Sequence, residues 1–72
     1  MGYPARITGT VEYREGDGPM IAIPLGPCEV EEGENDMTIS WTEGDTRGST
    51  AIPLDDFRRF VAGGAIRLEH QP

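Results

Sequence analysis

The apolar and polar positions change period several times along the chain, and each change predicts an element. Residues 6–14, Arg-Ile-Thr-Gly-Thr-Val-Glu-Tyr-Arg, alternate cleanly. Ile7, Gly9, Val11 and Tyr13 fall on one side; Arg6, Thr8, Thr10, Glu12 and Arg14 fall on the other. A period of two with β-branched and aromatic residues predicts a half-buried strand. Residues 20–25 alternate too, with Ile21, Ile23 and Leu25 on the apolar side. A three-residue loop at Gly16-Asp17-Gly18 pairs Tyr13 with Ile21, Val11 with Ile23 and Gly9 with Leu25, so that all six share one face. A two-residue loop would set Ile21 opposite Glu12, and register follows the buried face. Gly18 is expected to take the left-handed position of such a loop. Pro24 points outward and marks an edge or a bend.

Gly26-Pro27 is expected to break the run. Residues 28–32 predict a short strand with Cys28 and Val30 inward, and residues 33–36 a hairpin loop rich in turn formers. Residues 37–42 alternate strictly, with Met37, Ile39 and Trp41 inward. That hairpin sets Val30 opposite Ile39 and Cys28 opposite Trp41, with Glu31 facing Thr38 and Glu29 facing Ser40 outside. No like charges meet, as cross-strand pairing favours. Residues 43–48 read as a loop, followed by a strand over 49–54. A turn centred between Asp45 and Thr46 pairs Ile39 with Ile52 and Met37 with Leu54.

One stretch carries helical spacing. Over residues 55–62, Phe57, Phe60 and Val61 sit at i, i+3 and i+4, Asp55 or Asp56 suits the N-cap, and Gly63-Gly64 suits the C-terminus. Two turns are too short to be stable alone, so the helix must plug its Phe rings into the sheet. Residues 65–69 return as a last strand with Ile66 and Leu68 inward; residues 1–5 and 69–72 are expected to fray. The expected architecture is one mainly β domain over residues 1–72. It is a small antiparallel barrel or roll of five to six strands, with the helix at 55–62 before the last strand. In outline it resembles SH3-like barrels, which also place a helical turn before the last strand; the likeness is architectural and implies no function.

Composition narrows the class. At 72 residues the chain holds one small core, worth roughly 3–5 kcal/mol net. Its 10 Gly and 6 Pro fit many turns and short elements. One Cys permits no internal disulfide, which argues for a reducing compartment and a cytoplasmic location. No apolar run is long enough to span a membrane, and no apolar leader region is visible. Arg without Lys fits a GC-rich bacterial coding sequence.

Charge is more decisive. Six Arg stand against 13 acids, a net −7. Residues 12–45 hold ten of those acids and only Arg14. Nucleic acids and anionic membrane surfaces need cations, so neither is an expected partner. The acidity serves solubility at the least. It also offers a face to a basic partner.

No catalytic constellation stands out. Cys28 and His70 are the only thiol and imidazole. Cys28 falls on an inward position, where it behaves as a small hydrophobe, and His70 sits at the chain end. Glycine motifs for phosphate and Cys/His spacings for zinc are missing. The string Glu29, Glu31, Glu32, Glu34, Asp36 lacks a calcium-loop spacing, and carboxylates strung along a strand do not converge. Trp41 is expected in the core. Asp55 and Arg59 are expected to pair at i,i+4.

The leading expectation is a non-enzymatic protein-interaction domain without a cofactor. Its contact residues would be Glu29, Glu31, Glu34 and Asp36 of the acidic hairpin. Arg58 and Arg59, with Arg47 and Arg67, would form a basic end opposite it. The alternatives are a homo-oligomer assembled through sheet edges and, more weakly, a divalent-cation site at the acidic loop.

Overall fold

A computed structural model describes residues 2–14 and 16–69. The elements run β1 (Tyr3–Ile7), β2 (Glu12–Arg14), β3 (Met20–Ala22), β4 (Gly26–Glu32), β5 (Asp36–Glu43), β6 (Thr46–Pro53), α1 (Leu54–Ala62) and β7 (Ile66–Leu68). Five strands form one antiparallel sheet in the order β6-β5-β4-β1-β7, and β2 and β3 form a separate two-stranded sheet. The fold is therefore mainly β with one short helix before the last strand. Among the described residues the ladder ends at β6 and β7 and does not close into a barrel.

Alternation sets the inner face. Ala5, Ile7, Val30, Met37, Ile39, Ile52 and Ile66 project from the five-stranded sheet into the core, and Val11, Ile23 and Phe57 meet them from the β2–β3 side and α1. The β4–β5 hairpin has the register its alternation predicts, with Cys28 opposite Trp41, Val30 opposite Ile39, Glu29 opposite Ser40 and Glu31 opposite Thr38. Tyr13 likewise pairs with Ile21. Phe57 is buried and Phe60 and Val61 pack half-buried beside it, as the helical spacing requires.

Residues 6–14 do not form one strand. The chain leaves the sheet after Ile7, because the N–H groups of Thr8 and Gly9 both donate to the Ala65 carbonyl, at 2.8 and 3.1 Å. The Thr8 hydroxyl donates to the Gly64 carbonyl at 2.6 Å. Gly9 passes so close that a Cβ there would lie 3.0 Å from the Ala65 Cα. Gly9 therefore has no pairing with Leu25. The β2–β3 sheet is too short to carry all its apolar positions inward, and Ile21 (40% exposed) and Leu25 (71% exposed) face solvent. Gly16, not Gly18, takes the left-handed backbone in this loop, at φ +59°.

The expected fraying of residues 1–5 and 69–72 fails for 3–5 and for Glu69. Tyr3, Pro4 and Ala5 pair with Val30, Glu29 and Cys28, while β7 closes the other side of β1. Pro4 lacks a donor, but its carbonyl accepts from the Glu69 N–H at 3.1 Å. His70, Gln71 and Pro72 lie outside the described residues. Gly26-Pro27 is not a break but the start of β4, paired with Ile7 and Arg6. Proline is tolerated there because the first residues of a strand can spare a donor.

The β5–β6 turn is tighter than expected. Gly44 and Asp45 alone make it, with Gly44 at φ +61° in the first central position, as a type II′ hairpin turn requires. The register is shifted by two: Met37 faces Ile52 and Ile39 faces Thr50. A shift of two leaves every side chain on its expected face. The helix begins at Leu54 after Pro53, without a side-chain cap, so neither Asp55 nor Asp56 is the N-cap. Both lie in the first turn, where they favour the helix dipole. Arg59 pairs with Asp56 rather than Asp55, and Arg58 reaches Asp55 at 3.7 Å.

Candidate functional site

The predicted contact residues divide between the two sides of the sheet. Glu29 and Glu31 are exposed on β4 and alternate with the buried Val30, so they stand on the outer face. Glu34 lies in the β4–β5 loop and Asp36 opens β5, both exposed. A hydrogen bond from the Gly33 N–H to the Asp36 carbonyl, at 2.8 Å, closes that loop. Glu29, Glu32, Glu34 and Asp36 make no ion pair among the described residues.

Arg58 and Arg59 sit on α1, across the sheet from Glu29 and Glu31, and are paired with Asp55 and Asp56. The four arginines expected at a basic end do not converge. Arg47 is on β6 and Arg67 on β7, the opposite edges of the sheet. Arg67 lies directly across from Arg6. Glu69 offsets that repulsion by bridging to Arg6 at 3.5 Å.

One concave feature joins the acidic hairpin to apolar surface. Tyr3, Val30, Glu32, Met37, Phe57 and Leu68 line a cleft of about 280 Å³. Five elements contribute: β1, β4, β5, α1 and β7. Its floor is core, Val30, Met37 and Phe57 being buried, while its walls Tyr3 and Leu68 remain 44% and 47% exposed. Leu68 points inward as its parity predicts, yet little covers it. Glu32 sets a carboxylate on this rim, because the alternation that turns Cys28 and Val30 inward turns Glu32 the same way. Residues 1–5 carry no alternating pattern, so nothing in the sequence marks Tyr3 as a wall of this cleft.

At the far end of the sheet Trp41 is half-buried rather than fully in the core. Its indole packs over Gly48, and Tyr13 lies beside it with ring centroids 6.3 Å apart. Cys28 neighbours it, half-buried, and burial together with the Glu69 charge pushes its thiol above the ordinary value. A protonated thiol is a poor nucleophile. Among the described residues no group of three or more His, Cys, Asp or Glu side chains stands where it could hold a metal ion. No helix among them is long and apolar enough to cross a membrane.

Compared with protein-family models, with curated proteins and with solved structures, the chain matches none.

Proposed function

We propose that this domain is a non-enzymatic protein-interaction module. Its cleft between Tyr3 and Leu68 takes an apolar side chain of a partner protein, and the carboxylates beside the cleft take that partner's neighbouring Arg or Lys. One observation carries the reading: half-exposed Tyr3 and Leu68 flank an apolar floor with Glu32 on its rim, and Glu34 and Asp36 follow at the tip of the same hairpin, all three without ion partners among the described residues. Apolar walls left open beside polar groups mark contact surfaces rather than cores. At about 280 Å³ the cleft is small for a whole organic ligand but suits one anchoring side chain. Uncompensated acids steer a basic partner and reject an acidic one.

Calorimetric titration tests this with a synthetic peptide of alternating Leu and Arg, and with its Leu/Glu counterpart. The Leu/Arg peptide binds and the Leu/Glu peptide does not. Replacing Glu32, Glu34 and Asp36 by Gln, Gln and Asn weakens binding roughly tenfold with the fold intact. Equal binding of both peptides, or no effect of the triple variant, contradicts the reading.

A further inference from the structure

We propose that the outer edge of β6 pairs with the same edge of a second copy of this chain, antiparallel and centred on Ser49, so that two sheets become one across a two-fold axis. This edge is the opposite one from β7, and the pairing is made by backbone groups of β6 that take no part in the Tyr3–Leu68 cleft.

The backbone alternation fixes which groups face outward. In a two-residue hairpin the residues flanking the turn, here Glu43 and Thr46, exchange both backbone hydrogen bonds, and the pattern alternates from there. Thr46, Gly48, Thr50 and Ile52 therefore bond to β5. Arg47, Ser49 and Ala51 turn their N–H and C=O groups away from it. The Gly33–Asp36 bond sets the same alternation independently, since it turns the even residues of β5 toward β4 and leaves the odd ones for β6. No backbone partner occupies the outward groups of Arg47, Ser49 and Ala51 among the described residues. The other end of the sheet is protected differently: β7 spans only three residues.

The open edge is complementary to itself. With Ser49 opposite Ser49 of the second copy, Arg47 falls opposite Ala51 and Ala51 opposite Arg47, so every outward donor meets an acceptor. Sliding the copies by one repeat brings Pro53, which has no N–H, opposite Arg47 in one direction, and leaves Ala51 beside the turn in the other. Two of the three seam side chains, Ser49 and Ala51, are small, and Arg47, the one charge among the three, makes no ion pair among the described residues and meets no like charge. The same register carries each Arg47 toward the Asp36 end of the other copy, since Asp36 pairs with Pro53 two residues beyond Ala51. Asp45 lands opposite Pro53 near that same acid, and each copy carries −7, so added salt tightens the pair.

Sedimentation equilibrium from low micromolar to near-millimolar protein, with amide hydrogen exchange on the same samples, tests the proposal. The expected result is a concentration-dependent mass of two chains, with the Arg47, Ser49 and Ala51 amides protected only in the concentrated sample. Ser49→Glu sets two carboxylates face to face and loses the dimer; Ser49→Thr keeps it. Ser49 is exposed and its N–H makes no bond to β5, so neither variant disturbs the fold. A monomer at every concentration overturns the proposal. So does a dimer that survives Ser49→Glu, or protection of those amides that appears only with another protein present.

Discussion

The indole of Trp41 lies over the backbone of its cross-strand partner Gly48, so close that a Cβ at position 48 would come within 2.6 Å of the ring. Tyr13 packs on the same indole from the β2 side, so this ring is one of the contacts between the two sheets. Gly48→Ala must displace the ring. Overpacking of this kind costs about 1–3 kcal/mol, against a gain of about 0.4–1 kcal/mol from a stiffer unfolded chain. The net expectation is a loss of about 1–2 kcal/mol and a shifted tryptophan emission, read by urea unfolding followed through Trp41 fluorescence. A variant as stable as the parent would mean the indole does not rest on Gly48.

The apolar residues of the alternating segments are unequally buried. Ile39 is fully buried on β5, and Leu25 is 71% exposed after β3. Ile39→Ala should cost about 2–5 kcal/mol, comparable with the whole stability expected of so small a core. Leu25→Ser should move it by less than about 0.5 kcal/mol. Thermal unfolding of the two variants side by side checks this, and a severe loss in Leu25→Ser would restore the inward Leu25 that the alternation suggests.

Cys28 gives the stability a dependence on alkaline pH. Its thiol is held above the ordinary value by burial first and by the Glu69 charge second. The folded state therefore favours the protonated form. The associated stability is complete below the ordinary thiol range, near 8.5, and is lost as pH rises from there through the raised folded value. Urea midpoints measured between neutral and strongly alkaline pH should fall more steeply for the parent than for Cys28→Ala. The same burial makes Cys28 slow toward thiol reagents at neutral pH.

The parts of this fold that were legible in the sequence are those where strict alternation meets an unambiguous turn. The β4–β5 hairpin qualifies, because Val30 and Ile39 admit one register and a slip of one residue would expose both. The β5–β6 register did not follow, because a slip of two keeps Ile39 and Ile52 on the same face and only the Gly44 backbone distinguishes the alternatives. Tyr3-Pro4-Ala5 carries no strand pattern, yet it lies between β4 and β7 because those strands supply its hydrogen bonds. The acidic hairpin was visible as a run of charge. The cleft beside it was not, since Tyr3, Val30, Met37, Phe57 and Leu68 come together only when five elements are assembled. Glu32 was the available clue: a carboxylate at an inward position of an otherwise apolar strand face.

The most direct test of the account is a map of backbone amide shifts in the labelled protein as the Leu/Arg peptide is added. The expected shifts concentrate at Tyr3, Glu32, Met37, Phe57 and Leu68 and are lost in Leu68→Glu, whose exposed position leaves the fold intact. Shifts confined to the outer face around Glu29 and Ser40, or spread evenly over the acidic residues, would contradict it.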